Sequence, residues 1–514
     1  MGGHAAGNGR VSRNQPDTMR RDTWFPVAFV AAIITSAWLF STGCTTVKQQ
    51  ADLFSGGQSA PRATVEGGAL SGRVDPATHV LVFEGIPYAA PPVGDLRWRP
   101  PRPAPLWHGV RPASQLGHNC MQHQPYGDIT PDVAGKSEDC LYLNVWTQST
   151  TGRRPVMVWI HGGGFFAGFG GEERHNGGPL ARKGAVVVTL NYRLGAFGFM
   201  AHPALAAASP DHSSGNYGLL DQIAALRWVQ RNIAQFGGDP SRVMIFGESA
   251  GAMSVGTLIG SPLAKGLFQR AVLESGTGTT LMQSRKEAEA NGLKLATALG
   301  VKGTDAAAAA LLRVVPAESL LAAAVRIAPN PGTPVFFPSI DGHVLPRPVD
   351  SAIVAGSANI VPVIVGSNGD EPASIFGAPS RSFARLITSK GGKAYVYLYT
   401  RVGDDSVSRR MGAYHSSEIT FVFGRPAPLQ PVAGHTPYDS TLADAMSDYW
   451  VAFATSADPN AAPAAGKWPR WPVYDPTTDA YMELGPQIAA RRDLRRVLFD
   501  SLDAVGRSRG EIRP

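Results

Sequence analysis

From about Val74 onward the chain alternates short apolar runs with stretches in which apolar residues recur every three or four positions. Residues 156–160, 185–190, 242–246, 271–273 and 361–365 are β-branched runs bounded by Gly or Pro. Runs that are apolar throughout, rather than alternating, predict buried strands of a mostly parallel sheet. Between the second and third, Leu219, Ile223, Leu226, Val229, Ile233 and Phe236 fall at steps of four and three. That spacing predicts an amphipathic helix, ended by Gly237-Gly238 and the Asp239-Pro240 that follows. Residues 79–83 and 141–146 predict an antiparallel edge, residues 394–399 a late strand, and the Ala-rich residues 304–310 fall in a helical region. No internal repeat is present, and no linker after residue 72 is long enough to divide the body. The pattern therefore predicts one α/β body over residues 73–490.

The pattern ahead of that body is different. Arg20 and Arg21 precede an uncharged run, residues 23–42, that contains Trp24, Phe25, Val30, Ile33, Trp38 and Phe40 and ends at Gly43-Cys44. A basic stretch, an apolar stretch and a small residue before a cut resemble a bacterial signal peptide over residues 1–44, with Met19 as an alternative start. Thr42-Gly43-Cys44 resembles a lipoprotein box, with Ser41 where that motif carries an aliphatic residue, so Cys44 is a lipidation candidate. Roughly 20 apolar residues also suffice to span a bilayer, and an uncleaved helical anchor is the alternative. Both readings place the body outside the cytoplasm, either secreted, periplasmic or attached to the envelope membrane through its N-terminus. Residues 45–72, rich in Ser, Gly, Gln and Ala, read as a tether, and residues 491–514 as a basic tail.

Composition narrows the classes. Of 514 residues, 44% are hydrophobic and 17% charged, with 58 Gly and 41 Pro, which excludes a disordered chain and a coiled coil. The net charge of +7 resides mostly in the two ends, and the body between them is nearly neutral, without a Lys/Arg stripe interleaved with aromatics. A nucleic-acid partner is not expected. The three Cys are Cys44, Cys120 and Cys140. If Cys44 carries lipid, the other two can pair in an oxidising compartment, closing a loop of about 20 residues for roughly 3 kcal/mol. No Cys-x-x-Cys or His cluster suggests a metal, and no cofactor is expected.

Candidate chemistry lies at two strand ends. Gly247-Glu248-Ser249-Ala250-Gly251 follows the predicted strand 242–246 and opens a run of small residues that can form a helix close to the sheet. That strand–turn–helix is what a nucleophile elbow requires: the turn is too tight for side chains at 247 and 251, and it lifts the Ser249 hydroxyl clear. His161-Gly162-Gly163-Gly164-Phe165 follows the strand 156–160. Its glycines leave backbone N–H groups unshielded, and the amides of Gly163, Gly164 and Ala250 would supply three donors to a developing oxyanion. The bland alternatives are a serine in a Gly-rich turn and a flexible loop. A serine also needs a base and an orienting acid. Three His follow Ser249: His343 in an Asp-Gly turn, His435 in a Gly/Pro-rich loop, and His415 ahead of Glu418-Ile419-Thr420-Phe421. Asp370 and Glu371 lie just past the strand 361–365, and residue type alone does not choose between them.

Taken together, FEGIPYAAPPVGDLRWRPP (83–101), SEDCLYLNVW (137–146), WIHGGGF (159–165), NYRLGAFGF (191–199), GNYGLLDQIAALRWVQRNIAQFGGDP (215–240), FGESAG (246–251) and YHSSEITFVFG (414–424) resemble the type-B carboxylesterases. The resemblance runs from about residue 65 to 485. It implies an α/β-hydrolase fold, a mostly parallel central sheet flanked by helices with an antiparallel N-terminal edge. It implies a Cys120–Cys140 disulfide, structural ion pairs Arg97–Glu138 and Arg193–Asp221, and a supporting role for Ser275 beside the acid. It assigns the catalytic roles to Ser249, Glu371 and His415, with Gly163, Gly164 and Ala250 as the oxyanion hole. The implied activity is that of a serine carboxylesterase acting on small to medium esters through an acyl-enzyme. A non-catalytic adhesion or binding module of the same fold and a lipase are the alternatives. The sequence departs from the pattern in one place. Only 44 positions separate Glu371 from His415, an interval that is longer in the family and carries helices walling the pocket and often a dimer face. A shallower, more open pocket and a monomer are expected. The segment between Cys120 and Cys140 has no Trp and Tyr126 as its one aromatic, which argues against choline esters.

Overall fold

The protein is described here by a computed structural model covering residues 60–123, 134–330, 333–425 and 436–508. Its central sheet begins with β1 (Arg73–Val74), β2 (Leu81–Pro87), β3 (Tyr142–Thr147), β4 (Arg154–Ile160) and β5 (Val186–Leu190). The remaining strands are β6 (Gly238–Glu248), β7 (Arg270–Glu274), β8 (Val363–Asn368), β9 (Ala394–Tyr399), β10 (Tyr481–Leu484) and β11 (Ile488–Arg491). Their spatial order is β11-β10-β9-β8-β7-β6-β4-β5-β3-β2-β1. Pairing is parallel from β10 through β5. It is antiparallel at the β3-β2-β1 edge, as expected, and again where β11 closes the far edge. This is the α/β-hydrolase architecture.

Both faces of the sheet are covered, which is why its central strands carry no alternation of apolar and polar residues. Val156, Val158 and Ile160 of β4 join Val243 and Ile245 of β6 in one core, while Met157, Trp159, Met244 and Phe246 enter a second on the opposite face. The first core is closed by α1 (Tyr217–Asn232), α2 (Ala250–Gly260), the bent pair α3 (Ala306–Val314) and α4 (Ala317–Arg326), and α5 (Gly377–Ser389). The second is closed by α6 (Pro437–Ser456), which brings in Leu442, Met446, Trp450 and Phe453. α1 forms as its spacing predicts, and the chain leaves it through a 3-10 turn that ends at Gly237, φ +72°.

Two expected boundaries are corrected. The folded body starts at about residue 60 rather than 73, because Arg62–Val65 and Gly68–Ser71 form a hairpin that Val110–Pro112 extends into a three-stranded sheet. Ala63, Val65 and Leu70 are buried there, and the Trp107 indole N–H donates to the Ala69 carbonyl at 2.8 Å. Residues from 491 onward are not a free tail either. β11 ends there and α7 (Arg496–Ser508) docks on α5, with Phe499 buried and Asp503 bound to the fully buried Arg381 at 2.7 Å. The run 23–42, Cys44, most of the expected tether and residues 509–514 lie outside the described residues.

The implied staples are present. Cys120 and Cys140 are joined by a disulfide. Arg193 grips Asp221 through two side-chain bonds of 2.7 Å, and Arg97 Nε donates to Glu138 at 2.6 Å. Among the described residues, no single helix is long and apolar enough to cross a membrane.

Candidate active site

Parallel strands end on the same side, so the loops after β4, β6, β7, β8 and β9 gather at one end of the sheet. β6 runs into Ser249, whose φ of +56° and ψ of −123° make a sharp bend before α2. The bend is held by the Ser249 amide, which donates to the Glu274 carbonyl at 2.8 Å, and by its carbonyl, which accepts from Met253 at 2.9 Å. A Cβ at Gly247 or Gly251 would run into the Ile160 carbonyl oxygen of β4, so this approach of turn to strand excludes every other residue there. On the β4 side, the Gly163 carbonyl accepts from Phe166 and Ala167 at 3.1 and 2.9 Å, folding the glycine run into a tight turn. Among the described residues, the amides of Gly163 and Gly164 donate to no backbone carbonyl. Ala250 opens α2, and an amide in the first turn has no partner within its helix. Gly163, Gly164, Ala250 and Ser249 line one cavity of about 350 Å³.

His415 lines the same cavity from the loop after β9. Its Nδ1 lies 2.7 Å from Glu371 Oε2, and the Phe376 ring stacks on the imidazole at 4.4 Å. Glu371 is fixed from its other side by the Asn368 amide, which donates to Oε1 at 2.8 Å. Asp370, the neighbouring carboxylate, faces elsewhere: it accepts from the Ala413 amide at 2.8 Å and braces the segment that carries His415. Ser275 Oγ is buried and has no hydrogen-bond partner among the described residues, so Asn368 holds the acid where Ser275 was expected to. His343 is remote, 3.5 Å from Asp211, and His435 and Tyr126 lie outside the described residues. The site residues are thus brought together, with one difference. His415 Nε2 stands 3.1 Å from Glu248 Oε1, and no hydrogen bond joins it to Ser249 Oγ.

The electrostatics follow from this crowding. Burial acts to lower the His415 pKa, but the charges of Glu248 and Glu371, the bond to Glu371, and Glu418 outweigh it and carry it up to about 9. Burial raises Glu418, with Glu248 and Glu371 adding to the effect, and raises Glu274, with Glu418 adding. His161 behaves oppositely. Burial lowers it to about 4, so it is neutral, stacked on Tyr192 at 4.4 Å and part of the scaffold.

The cavity wall differs from the expectation in its source. Of the interval between Glu371 and His415, Phe376 reaches the cavity, and Phe165, Met253, Leu281, Pro334 and Phe337 complete the apolar wall. Leu281 is 52% exposed and the His415 side chain 34%, so the cavity opens to solvent, as the short interval implied. Glu248, Phe376 and Asn368 were not singled out from the sequence. A signal existed for the first, since Glu248 is the neighbour of the elbow serine; for the other two, position after a strand was the sole hint.

Comparison with known proteins gives a consistent picture. The sequence model described as the carboxylesterase family matches residues 59–374 and 372–499. The chain is 35% identical to the fumonisin B1 esterase of Sphingopyxis macrogoltabida, over 89% of this chain and 92% of that protein. It is 33% identical to the para-nitrobenzyl esterase of Bacillus subtilis, over 85% of this chain and 98% of that one. The crystal structure of the Geobacillus stearothermophilus carboxylesterase EST55 superposes with a TM-score of 0.75 at 32% identity, covering 86% of this chain and 99% of that chain.

Proposed function

Because the chain belongs to the carboxylesterase family and is a carboxylic ester hydrolase acting on small-molecule esters, we propose that Ser249, His415 and Glu371 are its catalytic triad. Its substrates are small to medium esters, and Gly163, Gly164 and Ala250 form its oxyanion hole. One observation carries this reading: a single cavity holds the Ser249 elbow, the tight glycine turn at 163–164, the first residue of α2, Ala250, and an imidazole whose far nitrogen is bound by a carboxylate.

Ser249 Oγ attacks the ester carbonyl carbon while His415 Nε2 takes its proton, and the carbonyl oxygen gathers charge facing the three amides. The C–O bond to the alcohol then breaks, and the alcohol leaves with the proton from His415. Water enters, gives a proton to His415 and its oxygen to the acyl carbon, and Ser249 recovers the proton as the acid departs. Glu371 fixes the tautomer with a proton on Nδ1 and stabilises the imidazolium. For the first step Nε2 exchanges its contact with Glu248 for one with Ser249 Oγ, the next residue along the chain and on the same wall; catalytic contacts commonly tighten only when substrate is bound.

The test is a panel of p-nitrophenyl esters of rising acyl length, assayed with the Ser249→Ala protein alongside. The variant should lose turnover by roughly a million-fold. Near-normal hydrolysis by that protein refutes the triad, and preference for chains beyond about ten carbons, at the lipid-like end of the apolar scale, identifies a lipase instead.

The same proposal covers location and assembly. A basic pair, an apolar run and Gly43-Cys44 at the N-terminus support export and lipid attachment at Cys44, and the Cys120–Cys140 disulfide suits an oxidising compartment. The body then works as a monomer outside the cytoplasm.

A further inference from the structure

Beside the reaction cavity lies a second one, of about 370 Å³, that the chemistry above leaves unused. Its wall is built by residues 194–197, by Met121 next to the disulfide, and by Leu321, Ala324, Val325 and Ala328 in and just past α4. The two cavities adjoin along residues 334–337. Pro334 borders both, and neighbouring side chains are dealt to opposite sides: Phe165 and Phe337 to the first, Phe166 and Phe336 to the second.

We propose that the second cavity receives the far end of the ester's apolar arm, which passes Pro334 after the reacting carbonyl has been seated over Ser249. This rests on the ester-hydrolase reading and names the substrate class for that site: esters whose arm is too long for the first cavity. Three observations point there. The first cavity, at about 350 Å³, sits near the lower end of the range for small-molecule sites, and the second doubles it. No charged side chain lines the second cavity among the described residues, and its polar side chains, His123, Asn330 and Thr333, are exposed at its rim. An occupant must therefore be uncharged and hydrocarbon-like along the part that enters. Finally, α4 lines this space with Leu321 and Ala324, which are only partly buried against the core, and with Val325, 42% exposed, so apolar surface is left for a ligand to cover. Each methylene taken from water there should tighten binding about fourfold.

Ala324→Trp fills the second cavity without touching the first, and Ala328→Trp does so from the other end of the same wall. Two ester series are compared: p-nitrophenyl acetate against octanoate, and ethyl against octyl acetate, so that the arm is probed on either side of the carbonyl. The long-to-short ratio of kcat/KM should fall at least tenfold in one series for either variant. In the Ser249→Ala background, where no ester turns over, calorimetric binding of p-nitrophenyl octanoate should weaken at least tenfold when Ala324→Trp is added. Ratios that stay within twofold in both series, for both variants, overturn the proposal. If the native protein cleaves none of these esters, the proposed function fails by itself, and the binding measurement alone still decides the cavity.

Discussion

His415 shows how single residues set the working conditions of the site. A general base must be neutral to accept a proton, and this imidazole is carried up to about 9 by the carboxylates around it. Activity, measured as kcat/KM in the free enzyme, should therefore fall as pH drops below about 9, well above the ordinary histidine range near 6 to 7 that an unperturbed base would give. Glu248→Gln removes the largest charge raising it, so its acid limb should move to lower pH, which a pH–rate profile of both proteins checks; an unmoved limb counts against Glu248 as the cause. The stability sign is the reverse. A folded-state pKa above the unfolded one favours the protonated form, so this contribution is complete below the ordinary value of 6.5 and is lost as pH rises through about 9. Asp370 and Glu371 illustrate what the sequence left open. Both are carboxylates past β8, and only the turn that hands one to His415 and the other to Ala413 separates them. Glu371→Gln should lower kcat by about ten-thousandfold through loss of the tautomer lock, whereas Asp370→Asn should leave kcat within about tenfold of the native protein; equal losses would undo the assignment.

Elements were legible where burial is complete and obscure where it is partial. β4 through β8 stood out because strands covered on both faces carry unbroken apolar runs through their centres, and α1 because its stripe is long. The hairpin at 62–71 is short and carries polar residues on an exposed side, so composition hid it as tether. α7 was hidden for a related reason: its arginines suggested a solvated end, while Phe499 and Asp503 are the residues that dock it. Arg381 on α5 is fully buried and binds Asp500 and Asp503 at 2.7 Å, with Asp479 at 3.6 Å. Truncating one partner of such a pair leaves an uncompensated buried charge, so Asp503→Ala should cost about 3–5 kcal/mol in urea unfolding. A loss below about 1 kcal/mol would mean that Asp479 and Asp500 already neutralise the guanidinium.

At the scale of the whole molecule, the glycines at 162–164, 247 and 251 made the site readable in advance, since backbone close approach leaves a mark in sequence, while the shape of the cavities, assembled from segments scattered between residues 121 and 416, left none. If Cys44 is lipidated, Cys44→Ser should shift the enzyme from the membrane fraction to the soluble extract of a bacterial host, read by ester hydrolysis in each fraction; an unchanged distribution favours the uncleaved anchor. The assembly also carries an order in time. The proposed nucleophile and oxyanion amides lie between residues 163 and 250, the proposed acid and base between 371 and 415. A ribosome delivers the first set long before the second. A nascent polypeptide therefore holds a shaped serine with nothing to deprotonate it, and stays chemically silent until its last third has emerged. Under the proposed export, that delay keeps the esters of the host cytoplasm intact.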